Sequence, residues 1–515
     1  MKVSRRELLK SAALSSASVL FCNSNRSWVL LGPPHRRSVI DTRVLRKFSE
    51  RFRGQVTVPG DSDYEPARSV ASFNPSTDKH PRIIARCADF SDVAQSIQFA
   101  RDHLLEVAVR AGGFDVLGAS VCEGGMVIDL SRMKAINIDS RQRLSRVQAG
   151  VRSAELSFVA DAYGLAAALG CHPGVGIAGL TLGGGLGWLA GKYGASCDNL
   201  RGADVITAEG RMIRANETEN PDLFWAIRGG GGNFGVITSF DFQLHPVDKV
   251  FGGVAAYRGD LAAFLRFFGD FMKAAPDELT VELSIRVLGE PTILATACWS
   301  GDLAEGERVL RPLREFEMLL ADAFNVVPYA HLIDRPGPEF GRRLFGAGAS
   351  PPPLPSGRVY DYWRGGSLQK LTNEAAETIA AATRNAPPGW SIGLGHYMHG
   401  VASRATLESS SLPRNAGQFT YFFDANWRDL QLADSAMSWV DSSLAAMRSY
   451  SSTGTYVNYL STNSDAAVRA SYGQCYERLA ALKRKYDSTN FFHLNRNVRP
   501  SESAGKSRTG RNLPD

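Results

Sequence analysis

Residues 171–193 read CHPGVGIAGLTLGGGLGWLAGKY, with eight glycines in 23 positions. Glycine costs backbone entropy, so a chain uses it this densely only where the backbone must turn left-handed or lie close against something. Apolar residues fill the gaps between the glycines. Such a stretch suits backbone laid along a large flat ligand, and a second glycine-rich run, RGGGGNFGVITSF, follows over 228–240.

Gly174, Gly176 and Gly179 match G-x-G-x-x-G, with Asp198 nineteen residues further on. In a Rossmann unit that fingerprint follows a strand and opens a helix. Here a helical pattern, SAELSFVADAYG ended by Gly164, and a loop with Pro173 precede it. The glycines of GLTLGGGLG also argue against a stable helix start. The context excludes a Rossmann unit. Gly191 and Lys192 lack the upstream glycine and the following Ser/Thr of a phosphate-binding P-loop.

Upstream, the pattern predicts a strand over 82–86, an N-cap at Ser91, a helix to about His103 and a strand over 106–110 that runs into the turn at Ala111–Phe114. Downstream it predicts a hairpin around Glu209 and Gly210 and a short helix in NPDLFWAIRGGGG. From about residue 249 longer strand-like runs (VELSIRVLGEPTILATACW, QFTYFFDANW) alternate with helices and a Pro-rich loop at 351–355. YVNYL, starting at Tyr456, reads as a strand, 470–486 as a helix and 501–515 as a disordered tail.

At 515 residues the chain exceeds one core. Hydrophobic residues at 44% and charged ones at 21% give an ordinary globular balance. The net charge is +6, with basic residues scattered except at the tail (Lys506, Arg508, Arg511), so a nucleic-acid-binding stripe is not indicated. No apolar run approaches the roughly 18 residues of a membrane span. Cysteines 22, 87, 122, 171, 197, 298 and 475 show neither a C-x-x-C pair nor metal-ligand spacing, so no metal is expected. Ser4-Arg5-Arg6-Glu7-Leu8-Leu9-Lys10 and the small apolar segment after it resemble a twin-arginine export signal within residues 1–30. That predicts a bacterial protein secreted to the periplasm or beyond by the twin-arginine machinery; the competing reading is a short amphipathic helix.

RAGG at Arg110, GAS at Gly118, VIDLSRM, VGIAGLTLGGGLGWL, DNLRGADVITAEG and WAIRGGGGNFGVIT fall in order, and YVNYL, YGQCYERLAALKRKYDSTNFF and NRNV follow near the end. Together they resemble the berberine bridge enzyme-like oxidases of the vanillyl-alcohol oxidase superfamily. The resemblance implies an α+β fold: a PCMH-type FAD-binding domain (78–248) completed by a C-terminal segment (451–500), with an inserted substrate domain of antiparallel sheet and helices (249–450). It implies FAD as cofactor, its pyrophosphate on backbone N–H groups. The residues it places at FAD are Arg110, Gly112, Gly113, Phe114, Asp115, Gly118, Ser120, Cys171, His172, Gly176, Gly179, Thr181 and Gly183. Val236 and Ile237 fall near the adenine, and Asn458, Asn495 and Asn497 near the flavin ring.

Two positions depart from the family pattern. Phe114 stands where many members carry a flavin-tethering His, and His172 where the tethering Cys is usual, with Cys171 one residue earlier. Noncovalent FAD is therefore expected. The resemblance also implies hydride transfer to flavin from an alcohol or activated C–H of a sugar or aromatic natural product, with O2 as acceptor giving H2O2. Tyr459 is the candidate base and Tyr456 the second choice; a phenol with an ordinary pKa near 10 needs help to serve as one. Of the aromatics Tyr360, Tyr362 and Trp363, packing is the simpler reading and a substrate wall the other. A flavin dehydrogenase with another acceptor, or a flavin-fold binding protein, remains the alternative function.

Overall fold

The computed structural model describes residues 40–288, 290–333, 359–387 and 390–502. The twin-arginine stretch, the Pro-rich loop and the end of the tail from residue 503 lie outside the described residues. The helix Thr42–Arg51 belongs, through Glu50, to a unit of its own. All that follows concerns the second unit.

Three sheets build it. The first orders β1 (Gln55–Thr57), β2 (Ile83–Arg86), β3 (Val107–Arg110) and β4 (Met126–Asp129) as β1-β2-β4-β3, parallel except for β1. The central strands β2 and β4 are largely apolar and buried, as strands covered on two faces must be. The helix Phe90–Asp102 connects β2 to β3, and Asp89 rather than Ser91 caps it, accepting from Ser91 N and Asp92 N. The second sheet comprises β5 (Ile136–Asp139), β6 (Leu144–Gln148), β7 (Ala166–Ala167), β8 (Leu200–Ile206), β9 (Met212–Asn216) and β10 (Val236–His245), all antiparallel. The expected hairpin is β8–β9, with Gly210 left-handed at its turn.

The third sheet is antiparallel and has eight strands. They are β11 (Lys249–Tyr257), β12 (Leu279–Leu288), β13 (Glu290–Trp299), β14 (Leu319–Asp322), β15 (Asn325–Pro328), β16 (Tyr360–Leu368), β17 (Ser391–Tyr397) and β18 (Phe419–Trp427). Strand alternation sorts its two faces. Val281, Leu283 and Ile285 of β12 and Tyr421, Phe423 and Ala425 of β18 join one extensive core. The helices Leu261–Lys273, Asn373–Arg384 and Ala433–Ala446 cover that face, contributing Phe264, Phe268, Ile379 and Val440. Glu282 and Phe422 belong to the opposite set.

The glycine stretch departs from expectation in one respect. Ile177–Leu182 does form a helix, of six residues, between Gly176 and Gly183. Its apolar run is long enough for one and a half turns, and the glycines end it instead of preventing it. The notion of a strand at YVNY also fails: Val457–Tyr459 is a 3₁₀ turn, with Tyr459 N donating to Tyr456 O at 2.7 Å. The predicted helix at 470–486 is two helices, Asp465–Tyr472 and Tyr476–Tyr486, broken at Gly473.

One acid-sensitive element lies at the end of β10. His245 stacks on Tyr193 at 3.9 Å and its Nε2 lies 2.6 Å from Asn199 Oδ1. Burial first, then Arg201, Arg143 and Lys192, push its pKa down to about 4. Between that value and the unfolded value near 6.5 the unfolded chain binds the extra proton, so stability rises with pH there. The contribution is complete above 6.5 and drains away as the pH falls toward 4. Urea midpoints measured across this window are expected to fall with acid, and to fall less in His245→Gln.

Candidate active site and cofactor cradle

Two glycine turns meet at the base of the cradle. A Cβ on Gly112 would stand 2.4 Å from Gly176 N and 2.6 Å from Gly176 Cα, and one on Gly176 would stand 2.7 Å from Gly112 Cα. The backbones touch each other, so these glycines are required by the fold before any ligand arrives. Gly183 is likewise explained by the Asn458 amide, 2.0 Å from where its Cβ would be. At Gly179, by contrast, a Cβ would meet open space.

Other expected cofactor residues are committed to the protein. Arg110 pairs with Asp129 at 2.6 Å, both buried. The Asp115 carboxylate binds Arg496 and accepts from Leu117 N and Ala119 N. Burial opposes its ionisation, yet Arg496 holds its pKa below the ordinary value. Arg496 also donates to Leu460 O, which ties the 110–120 turn to the C-terminal segment. Val236 and Ile237 are core residues of β10, paired with Ile206 and Val205. Asn458 donates to Leu180 O at 3.0 Å and to the Tyr456 hydroxyl at 2.9 Å. Gly113 and Gly118 are left-handed turn residues of the same loop.

A second group is poised differently. Ser120 Oγ, Thr181 Oγ1, Asn495 Oδ1 and Asn497 Oδ1 are buried polar atoms without a hydrogen-bond partner in the protein. Leaving one such group unpaired costs about 1–3 kcal/mol. All four belong to the set expected at FAD, from three separate segments. That is the pattern of a cradle completed by a polar ligand. Phe114 is 40% exposed and lies 5.2 Å from the His172 ring, whose Nδ1 accepts from Gly174 N.

The third sheet and the glycine loop together form a compact cluster. Cys171, Glu282 of β12 and His396 of β17 bring their ligand-type atoms within 4.8 Å of one another, and His396 Nδ1 is 2.9 Å from Glu282 Oε1. Tyr459 joins them: its ring is 5.9 Å from His396, 5.0 Å from Trp363 and 6.1 Å from Phe422. Its hydroxyl and Glu282 Oε1 border the same spot above Gly395, 3.2 and 3.7 Å from a Cβ placed there. Because Val457–Tyr459 is a 3₁₀ turn, Tyr456 and Tyr459 share a face, with rings 5.7 Å apart.

The electrostatics set the phenols apart from the carboxylate. Burial, then Glu282 and Cys171, push the Tyr459 phenol well above its ordinary range. The Tyr456 hydroxyl accepts from Gly185 N, Leu186 N and Asn458 Nδ2, and burial raises its pKa to about 12. Both phenols are held protonated in this structure, and the Tyr456 hydroxyl fixes the glycine loop. Burial and Glu282 also push the Cys171 thiol up. Glu282 behaves oppositely: burial opposes its charge, but His396 and Cys171 hold its pKa below the carboxylate norm. It is the ionised acceptor of the cluster.

Sequence reading missed Glu282 and His396. The signal was the polar phase of VELSIRV, where Glu282, Ser284 and Arg286 alternate with core residues. The same alternation divides the aromatic trio. Tyr362 is buried and its hydroxyl lies 3.0 Å from Asp441, Tyr360 stacks on Trp427, and Trp363 alone of the three reaches Tyr459.

The cradle and the third sheet define a two-part, PCMH-type flavoprotein fold. Residues 81–216 match the FAD binding domain family and residues 455–499 the berberine and berberine-like family. The chain thus belongs to the berberine bridge enzyme-like FAD-linked oxidoreductases. It is 35% identical over 288 residues to (R)-6-hydroxynicotine oxidase of Paenarthrobacter nicotinovorans, a match spanning 55% of this chain and 62% of that enzyme. It is 28% identical to a FAD-linked oxidoreductase of Dictyostelium discoideum, over 90% of this chain and 98% of the relative. The crystal structure of 6-hydroxy-D-nicotine oxidase from Arthrobacter nicotinovorans superposes with a TM-score of 0.77 at 28% identity, covering 87% of this chain and 98% of that one.

The unpaired Ser120, Thr181, Asn495 and Asn497 atoms fit the polar edges of such a cofactor. Adding a methyl at the Gly112–Gly176 contact is expected to open the cradle. Gly112→Ala should purify with well under half the wild-type ratio of flavin to protein absorbance.

Proposed function

We propose that this chain is an exported FAD oxidase that dehydrogenates a small aromatic substrate at a carbon bearing a hydroxyl or amine. The observation that carries this reading is the ionised Glu282, set beside His396 and Cys171 and walled by Trp363, Phe422 and Tyr459. FAD, when bound, would supply the two-electron acceptor, with O2 as the terminal oxidant giving H2O2. The aromatic walls orient the substrate ring and exclude water. Tyr459, protonated, donates a hydrogen bond to the substrate heteroatom. As hydride leaves the carbon, the attached O–H or N–H becomes strongly acidic, so a weak base in place suffices. Glu282 takes that proton and His396 holds the carboxylate in position. Export through the twin-arginine route is part of the reading, supported by the Arg5-Arg6 segment.

Acid precipitation of the purified protein tests the cofactor. Flavin is expected in the supernatant, because Phe114 cannot tether it; flavin in the pellet would show a covalent link, with Cys171 the residue to replace. Anaerobic mixing with hydroxylated aromatic amines and alcohols is expected to bleach the flavin, and air to restore it with H2O2. Bleaching without reoxidation by air would make the protein a dehydrogenase. No bleaching by any aromatic substrate, but bleaching by oligosaccharides, would overturn the substrate class.

A further inference from the structure

We propose that Cys171, Glu282 and His396 form a zinc site that competes with the proton-accepting role of Glu282. The three ligand atoms lie within 4.8 Å of one another, and all three residues are partly buried. Tetrahedral zinc, with bonds of about 2.0–2.3 Å, holds its ligand atoms roughly 3.3–3.8 Å apart. The gap closes with side-chain movements of under about an ångström, well within rotamer adjustment.

The donors also have the right chemistry. One thiol, one imidazole and one carboxylate make a mixed set that suits zinc and disfavours magnesium or calcium, which want oxygen ligands alone. This is not an exposed acidic patch, since only one carboxylate takes part. The ligands come from the loop before the Ile177–Leu182 helix, from β12 and from β17. A bound ion therefore pins the glycine loop to the sheet. Three protein ligands leave a fourth position for water, as in an open zinc site.

The balance of the binding step is simple. The Cys171 S–H bond breaks, its proton leaves to solvent, and the sulfur lone pair forms the Zn–S bond; nothing is oxidised or reduced. Glu282 passes from proton acceptor to metal ligand. Zinc occupancy thereby holds the enzyme idle until a chelator removes the ion. The inference concerns the same cluster as the proposed oxidation, but its test reads metal binding and stands whatever the substrate proves to be.

The experiment is equilibrium dialysis of untagged, FAD-loaded protein against zinc chloride, with metal counted per chain. One zinc per chain is expected, with a single sulfur scatterer at about 2.3 Å in X-ray absorption. Loss of one ligand should weaken binding at least as much as loss of an outer-shell partner, about 10–100-fold. Cys171→Ser and His396→Gln are each expected to do so while retaining wild-type circular dichroism. Absence of stoichiometric zinc, a shell without sulfur, or undiminished zinc in both variants would overturn the proposal.

Discussion

Lys483→Met is expected to lose about 3–5 kcal/mol of stability, the usual cost of stripping one partner from a buried ion pair. Lys483 and Asp487 are both 0% exposed and 2.6 Å apart. The ammonium also donates to Asn233 O at 2.7 Å and Phe492 O at 2.9 Å. Asp487 in turn accepts from Phe491 N and Phe492 N. The pair thus joins the helix Tyr476–Tyr486, the loop before Asn495 and the glycine turn ending at Asn233. Burial pulls the Lys483 pKa down while Asp487 pulls it back, so the charge persists only because its partners stay. Methionine keeps the shape and leaves Asp487 without its cation. Lys485→Ala supplies the contrast. That side chain is 57% exposed and pairs with Asp222, so its loss should cost no more than about 1 kcal/mol. Urea unfolding of both FAD-loaded variants checks the pair. Equal, small losses would show that the buried pair contributes nothing beyond a surface one.

The part of the fold that was legible in the sequence is the part where backbone geometry dictates residue type. The Gly112 and Gly176 turns, the β8–β9 hairpin and the helix after Asp89 are local, and glycine, turn and cap residues announce them. The reading of Ser120, Thr181, Asn495 and Asn497 as ligand-facing came from family resemblance; in the structure each has a buried polar atom without a protein partner. The same resemblance gave no warning that Arg110 and Asp115 spend their charges on Asp129 and Arg496, because pairing across 19 or 381 positions leaves no local trace. The Tyr456–Tyr459 segment was misjudged for a related reason. Alternation in YVNY is as compatible with a 3₁₀ turn as with a strand, and tertiary contacts with Gly185 and Leu186 decide it. Glu282 and His396 were out of reach, since they meet only after β12 and β17 pair in register, Leu283 opposite Leu394.

That register is what makes Glu282→Gln the sharpest test of the chemistry. The amide keeps the size and hydrogen-bonding reach of the carboxylate but cannot take a proton. Loss of a positioned general base costs about 10²–10⁴-fold, so the rate of anaerobic flavin reduction should fall by that factor. Tyr459→Phe should cost much less, because the phenol, held protonated by burial and by Glu282 itself, donates one hydrogen bond. The reverse ranking would return the base to Tyr459. The pH profile adds an independent reading. Glu282 must be ionised to work, and its pKa is held below the ordinary glutamate value of about 4.3. Flavin reduction in the wild type should therefore hold its rate as pH falls toward that value and decline only below it. In Glu282→Gln this acid limb should vanish along with most of the rate. A tyrosine base would instead give a profile that climbs through the alkaline range, where the depressed phenol it needs is opposed by a carboxylate at its side.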